Sequence, residues 1–183
     1  MMNTFVVYVE NKPGVLARVA TLFRRRAFNI DSLTVGRTEK PEVSRMTIVL
    51  DADPDQALRV EANLYKLVNV LFVENVTHEP AIARDLAIIK VAATRETRSH
   101  VLQLATVFRA RVVDVAPESL TIEITGTEDK IVGLLEVLRP YGVLEMVRTG
   151  MVAMRRGSKS APAAEPSERP QPAMPDDKVS YSV

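Results

Sequence analysis

Apolar residues along the chain switch between two periods, and the switches predict short strands that alternate with helices. Phe5 to Val9 is mostly β-branched and aromatic, a composition typical of a strand. Directly downstream, apolar residues recur at the i, i+3, i+4, i+7 spacing of a buried helix face, at Leu16, Val19, Ala20 and Phe23. The chain therefore opens with a strand, a tight turn and a helix.

The first half of the chain continues this alternation into a six-element unit. Asp53, Pro54 and Gln56 supply an N-cap, a first-turn proline and a capping-box partner, which predict a second helix. We expect that helix to end near Asn69. The order βαββαβ that results is the ferredoxin-like arrangement. Its other predicted elements are strands over Thr4–Glu10, Ile30–Val35, Ser44–Asp51 and Val70–Thr77, and a helix over Gly14–Arg26.

The same order of elements recurs in the second half. The string Ala-Thr-Leu-Phe at 20–23 returns as Ala-Thr-Val-Phe at 105–108, within a helix-spaced set of apolar residues. We expect Thr127 to cap the last helix. Predicted strands of this copy are Asp85–Ala93, Arg111–Ala116, Ser119–Gly126 and Val143–Val152.

The predicted fold class is α+β, with two tandem ferredoxin-like βαββαβ domains. We place the first domain at 1–78, a linker at 79–83 and the second domain at 84–156. Residues 157–183 are dominated by proline, alanine, serine and charged residues. Such a segment has too few apolar groups to offset the entropy lost on ordering, so we predict a disordered tail.

Composition excludes several classes of function. The 183 residues include no cysteine, so disulfides, thiolate metal sites and thiol nucleophiles are ruled out, which fits a reducing cytoplasm. A net charge of +1 gives no general attraction to nucleic acid or to anionic membranes. No apolar run approaches the roughly 20 residues needed to span a bilayer.

The turn between the first strand and the first helix is the strongest candidate for a binding site. Pro13 fits the first helical position, and Gly14 has no Cβ to keep a ligand away from the main chain. Free amides at the helix start would attract a carboxylate. The alternative is an ordinary Pro-Gly turn ahead of a helix. The second copy has a longer, charged turn over 94–99, so we assign the ligand site to the first copy.

Three segments resemble the small regulatory subunit of acetohydroxyacid synthase, also called acetolactate synthase. They are residues 11–23 (NKPGVLARVATLF), 28–35 (FNIDSLTV) and 44–48 (SRMTI). The resemblance covers about residues 4–155, and the first copy looks like an ACT domain. One departure is Ala27, where the family often has glycine.

The resemblance implies a homodimer through ACT domains that activates a separate catalytic (large) subunit and confers feedback inhibition by valine or another branched-chain amino acid. It implies no cofactor in this chain, and thiamine diphosphate, Mg and FAD in the catalytic partner. Ser44, Arg45 and Met46 are candidate partner contacts. For Asn29 a helix C-terminal role in left-handed geometry stays open. The implied effector-binding residues are Asn11, Pro13, Gly14, Val15 and Leu16 of one subunit, with Asn29 and Ile30 of the other.

Two other classes of function are less well supported by the sequence. An independent enzyme would have only His78 and His100 as imidazole bases, and these lie at the predicted linker and at a predicted helix start, where surface or structural roles are more common. A nucleic-acid reader of this fold would carry stacked aromatics on its strands, which are sparse here. A stand-alone amino-acid-sensing module acting on another enzyme or on transcription remains the alternative. The run Arg24-Arg25-Arg26 would face either solvent or an acidic partner.

Overall fold

Two sheets, each with a pair of helices on one face, make up the fold of residues 1–157, the part of the chain that the computed structural model describes. The prediction of a disordered tail falls, beyond Gly157, outside the described residues. The first domain contains β1 (Met2–Glu10), α1 (Val15–Arg25), β2 (Ile30–Arg37), β3 (Val43–Asp51), α2 (Pro54–Leu64) and β4 (Val70–Asn75). The second contains β5 (Ala81–Ala92), α3 (Arg98–Val107), β6 (Arg111–Ala116), β7 (Ser119–Gly126), α4 (Glu128–Leu138), β8 (Val143–Arg148) and β9 (Val152–Arg155).

Both sheets are antiparallel and share one topology. The strand order is β2-β3-β1-β4 in the first domain and β6-β7-β5-β8 in the second, where β9 also pairs with β5. The α+β class and the two ferredoxin-like repeats are therefore confirmed. The helices cover one face of each sheet because their apolar stripes face the alternate residues of the strands. Phe5, Val19, Phe23 and Ile48 are buried in the first core, and Ile89, Val101, Ile122 and Leu134 in the second.

The opposite face of the first sheet is covered by a ribbon from the second domain. Val6 and Val76 are buried there against Ala153 of β9, with Ala81 and Ala83 of β5 packed beside them. Salt bridges reinforce the contact, since Arg155 pairs with Glu74 at 3.0 Å and with Glu79 at 2.8 Å. Strand β5 thus belongs to both domains. Its start lies on the first sheet, and its remainder is central in the second.

The structure corrects several predicted boundaries. The expected linker at 79–83 is part of β5 from Ala81, because this alternating segment pairs with β9. The predicted last strand is split after Arg148, where Gly150 takes a φ of 86°. Thr127 occupies the N-cap of α4 but makes no side-chain capping bond, whereas Asp53 and Gln56 form the predicted capping box.

Helix α2 ends at Leu64, five residues before the predicted end. Beyond it the backbone hydrogen bonds join residues three apart, as in a turn, and the Lys66 amide donates to the Asn63 carbonyl. The Tyr65 hydroxyl accepts from the Val73 amide at 3.0 Å and donates to the Val73 carbonyl at 3.2 Å. These bonds hold the chain against β4 and stop the helix. Among the described residues, no helix is long and apolar enough to cross a membrane.

Candidate functional site

The turn between β1 and α1 is built around a glycine in left-handed geometry. Gly14 has a φ of 82° and is the N-cap of α1, so the helix begins at Val15. Pro13 therefore precedes the cap instead of occupying the first helical position, which corrects the prediction. A Cβ built on Gly14 would meet no atom within 4 Å. The glycine leaves the helix start open to an approaching molecule, and its φ explains why a side chain is disfavoured there.

The turn is fixed to the neighbouring β2–β3 loop through Asn11. The Asn11 amide donates to the Glu42 carbonyl at 2.7 Å, and its side-chain Nδ2 donates to the Pro41 carbonyl at 2.8 Å. Asn11 is exposed, so its carboxamide lies at the surface in a fixed position. Fixed polar groups of this kind orient small ligands at low entropic cost.

The start of α1 provides a positive electrostatic field for an anion. The first turn contains no acidic residue, and no side chain caps it. The first helical hydrogen bond in this turn runs from the Arg18 amide to the Gly14 carbonyl at 3.0 Å. The amides of Leu16 and Ala17 precede it, at the positions where a helix presents unbonded donors. Such a helix start attracts carboxylates and phosphates.

Asn69 organises the charged groups beneath this turn. Its Nδ2 donates to Glu10 Oε2 at 2.5 Å, and its Oδ1 accepts from the Arg18 guanidinium at 2.6 Å. Lys12 forms a salt bridge with Glu10 at 3.2 Å. Sequence reasoning missed Glu10, Arg18 and Asn69 as neighbours, because 51 residues separate Arg18 from Asn69 and no local pattern links them.

The apolar residues of the predicted site differ in accessibility. Val15 is only 4% exposed and packs in the core of the first domain, whereas Leu16 is 44% exposed beside the turn. Ile30 is partly buried against the same core. Leu16 is therefore the aliphatic group that the turn itself offers to a ligand, and Val15 mainly anchors the helix.

Asn29 and Ile30 lie at the other end of the sheet from Gly14. Glu10 pairs with Val43, while Ile30 pairs with Leu50, seven residues further along β3. At the rise of a β-strand this separation is about 23 Å. One chain therefore assembles only the turn half of the predicted site. The residue with left-handed geometry after α1 is Ala27, with a φ of 57°. The helix C-terminal role considered for Asn29 is therefore filled by Ala27, two residues earlier.

The three candidate partner contacts are buried or hydrogen-bonded within this chain. Met46 is 1% exposed in the core and Ser44 is also buried. The Arg45 guanidinium donates to Tyr8 Oη at 3.2 Å and also to the Ala153 carbonyl of β9. Arg45 thereby helps to hold the two domains together. Their contact with another subunit stays a prediction.

In the second domain, the turn that corresponds to the Gly14 turn is filled by the side chain of Arg98. The Arg98 guanidinium donates to the carbonyls of Ala93, Ala116 and Pro117 at 3.2, 2.6 and 2.5 Å. Because Arg98 occupies this end of the sheet, the second copy has no opening like that at Gly14. His78 and His100, the two imidazoles of the sequence, are both exposed.

Apart from the Gly14 turn, a cavity lies at the junction of the domains. It has a volume of about 600 Å³ and is lined by residues that include Ser32, Asp85, Arg148 and Gly150. Asp85 is buried and pairs with Arg148 at 2.5 Å. The Ser32 Oγ accepts from the Met151 amide at 3.1 Å. No local pattern predicts this junction, because Ser32 and Met151 are 119 residues apart.

Comparison with known proteins connects both domains to one family. A family model described as an AHAS small subunit-like ACT domain matches residues 5–72, and one described as the small subunit of acetolactate synthase matches residues 84–157. A probable acetolactate synthase small subunit from Archaeoglobus fulgidus is 50% identical over 159 residues, which is 87% of this chain and 99% of that protein.

Further relatives agree with this assignment. The acetolactate synthase small subunit of Mycolicibacterium smegmatis is 47% identical over 163 residues, covering 89% of this chain and 96% of its own length. The crystal structure of the acetolactate synthase small subunit from Thermotoga maritima superimposes with a TM-score of 0.81 at 38% identity, over 87% of this chain and 99% of that one. The chain therefore belongs to the family of acetolactate synthase small subunits, the non-catalytic regulatory subunits of that transferase.

Proposed function

We propose that this chain binds the catalytic (large) subunit of acetolactate synthase, raises its activity and makes it sensitive to feedback inhibition by a branched-chain amino acid, with valine the first candidate. The observation that supports the proposal is the uncapped start of α1, left open by Gly14 and bordered by the exposed Leu16. A positive helix start next to an aliphatic side chain matches the carboxylate and side chain of such an amino acid.

The site is completed in this proposal by a second copy of the chain. Strand β2 is an edge of the first sheet, and its free backbone groups can pair with another strand. In an antiparallel pair of two β2 strands, the start of one lies beside the end of the other. The end of β2 is level with Ser44 and hence with the Gly14 end of the sheet. Asn29 and Ile30 of the partner subunit are thereby carried to the end of the sheet where Gly14 lies.

The groups of the effector are then assigned as follows. The carboxylate accepts hydrogen bonds from the amides of Leu16 and Ala17 at the helix start. The ammonium donates to the Asn11 carboxamide oxygen or to Asn29 of the partner subunit. The aliphatic group contacts Leu16 and Ile30 of the partner subunit. Thiamine diphosphate, Mg and FAD belong to the catalytic partner, and no residue of this chain is assigned to them.

The size of the effector limits what its binding can do. An amino acid with about eight heavy atoms can gain at most about 12 kcal/mol on binding, and a micromolar to submillimolar response needs only about 5 to 8 kcal/mol. Inhibition depends on the difference in affinity between two states of the assembly. We propose that the effector changes how the two first domains are oriented, and that the catalytic subunit responds to this change.

Calorimetry of the isolated chain against valine, leucine, isoleucine and lysine tests the effector site. The matched variants are Gly14→Asp and Gly14→Asn, because both residues tolerate a positive φ better than most and differ mainly in charge. We expect Gly14→Asp to abolish the binding heat, since a fixed carboxylate would occupy the place of the ligand's own. Gly14→Asn should retain measurable binding. Equal binding by wild type and Gly14→Asp would displace the site from this turn.

Reconstitution with the catalytic subunit tests the regulatory role. We expect addition of the wild-type chain to raise acetolactate formation and to make it inhibitable by the amino acid that gives a binding heat. A catalytic subunit that is neither activated nor made inhibitable would refute the proposal. The cytoplasmic location of the complex stays a prediction.

A further inference from the structure

A groove between α1 and α2 collects positive charge from both helices. It has a volume of about 450 Å³ and its lining includes Arg18, Arg25 and Arg26 from α1 and its C-cap, and Lys66 from the turn after α2. All four side chains belong to exposed residues. None of the residues that line the groove is acidic.

The hydrogen bonds that Arg18 and Lys66 make within the chain go to neutral groups. Arg18 donates to the side-chain oxygen of Asn69 and Lys66 to that of Asn63, and both acceptors are neutral amides. No salt bridge found within residues 1–157 involves any of the four cations. The groove therefore keeps a net positive potential that an acidic partner can neutralise.

Helix stability explains only part of this arrangement. Cations near a helix C-terminus are stabilised by the helix dipole, which accounts for Arg25 and Arg26. Lys66 follows the C-cap of α2, where the dipole of that helix also favours a cation. Arg18 lies in the first turn of α1, where the dipole opposes a cation, so capping does not explain its place in the groove.

The floor of the groove indicates a peptide more than an inorganic ion. Leu22 and Leu67 line it together with Ala17 and Thr21, and both leucines are only partly buried. An apolar floor with a charged rim fits a polypeptide segment that places apolar side chains between carboxylates.

We propose that this groove is a docking surface for an acidic segment of the acetolactate synthase catalytic subunit, one that carries aspartate or glutamate beside apolar residues. The inference rests on the proposed function, because it presumes that the two subunits associate. It adds a surface distinct from the Gly14 turn. In this arrangement the groove runs along α1 from Ala17, next to the proposed effector site, to Arg26 at the C-cap.

Charge reversal in the reconstituted holoenzyme tests the surface. The test variant is the double change Arg25→Glu and Arg26→Glu. The matched control is Arg24→Glu, which alters an exposed arginine in the same last turn but outside the groove lining. Activity is titrated against subunit concentration at low and high salt. We expect the double variant to weaken association at least about 10-fold and to flatten its salt dependence, and the control to shift it less than about 2-fold.

Carbodiimide cross-linking provides a second readout, because it joins the Lys66 amine directly to a contacting carboxylate. Mass spectrometry of the wild-type holoenzyme should find Lys66 linked to an aspartate or glutamate of the catalytic subunit. Lys66→Arg keeps the charge but has no amine, so it should keep association and lose the link.

The outcomes separate this inference from the proposed function. If the wild-type chain activates the catalytic subunit and the double variant does so with the same concentration dependence, the docking surface is wrong and the proposed function stands. The same conclusion follows if Lys66 links to no residue of the catalytic subunit. If the wild-type chain does not associate with the catalytic subunit, both fail.

Discussion

The Met151 amide donates a hydrogen bond to Ser32 Oγ at 3.1 Å and thereby joins the two domains. Thr34, two residues further along β2, donates to the Thr149 carbonyl at 3.3 Å. Strand β2 begins with Ile30, which the proposed effector site includes. The second domain is therefore bonded to the strand that a bound effector would contact, and a shift of that strand would be transmitted to it.

Ser32→Ala is predicted to weaken regulation more than effector binding. The change removes the acceptor of the Met151 amide while leaving the Gly14 turn intact. Calorimetry of the isolated chain should give an affinity within about two-fold of wild type, whereas maximal inhibition of the reconstituted holoenzyme should fall. Ser99→Ala, at an exposed position of α3, is the control. Unaltered maximal inhibition by the Ser32 variant would show that this bond transmits nothing.

Gly150→Ala is predicted to destabilise the chain through a direct clash. A Cβ at this position would lie 2.7 Å from Ser32 Oγ and 2.9 Å from Thr34 Oγ1, and the φ of 86° disfavours any side chain. We expect a loss of about 2 to 3 kcal/mol in the free energy of unfolding, measured with urea. Gly14→Ala isolates the backbone contribution, because Gly14 has a similar φ and an open surrounding. Equal losses in the two variants would contradict the clash.

Asp85→Asn is predicted to be among the more damaging single changes at the domain junction. The buried carboxylate receives the Arg148 Nε–H at 2.7 Å and the Thr149 hydroxyl at 3.1 Å. Loss of its charge weakens two hydrogen bonds of a buried group and leaves Arg148 only its salt bridge with Glu128 at 3.6 Å, which costs about 2 kcal/mol. Asp114→Asn, at an exposed position of β6, should cost less than about 0.5 kcal/mol. Thermal unfolding of both variants beside wild type makes the comparison.

Glu61→Gln is predicted to stabilise the chain near neutral pH and to be without effect in acid. Burial raises the pKa of Glu61, so folding favours the protonated carboxyl, and the wild type loses stability as pH rises through this pKa. Glutamine stays neutral and avoids that loss. Because Glu61 is only partly buried, solvent screens its charge, and we expect a gain of only a few tenths of a kcal/mol at pH 7. The gain should vanish at pH 3, where the wild-type carboxyl is also neutral.

Urea unfolding at both pH values checks this prediction, with Glu136→Gln as the control. Glu136 is exposed and lies in the last turn of α4, as Glu61 lies in the last turn of α2, but it lacks the burial. A gain at pH 3 as large as at pH 7 would show that the effect does not arise from ionisation.

Local patterns were sufficient to predict most of the fold. The β-branched and aromatic composition of Phe5–Val9 and the helical spacing of Val19 and Phe23 are local features, and the structure forms a strand and a helix there. The Asp53 capping box joins residues that are three apart, so both partners could be recognised from the local sequence. The end of α2 was predicted too late because it depends on hydrogen bonds between Tyr65 and Val73 of β4. Hydrophobic periodicity carries no information about such contacts.

The candidate site was predictable only in part, for the same reason. The Gly14 turn is local and could be read from Pro13 and Gly14 alone. Its supporting group Asn69 and the junction at Ser32 depend on contacts between distant segments. Pairing of Asn29 with this turn needs a second chain, because the two lie at opposite ends of one sheet.

The start of strand β5, which pairs with β9 and packs on the back of the first sheet, has a consequence for dissecting the protein. A cut after Pro80 would remove Ala83 and Ala153, and it would uncover Val6 and Val76 on the back of the first sheet. A fragment ending there would expose this apolar surface to water and would self-associate through it. Regulation measured on such a fragment would include the effect of this association through a surface that the ribbon covers in the intact chain. Cleavage after Gly157 leaves the ribbon in place.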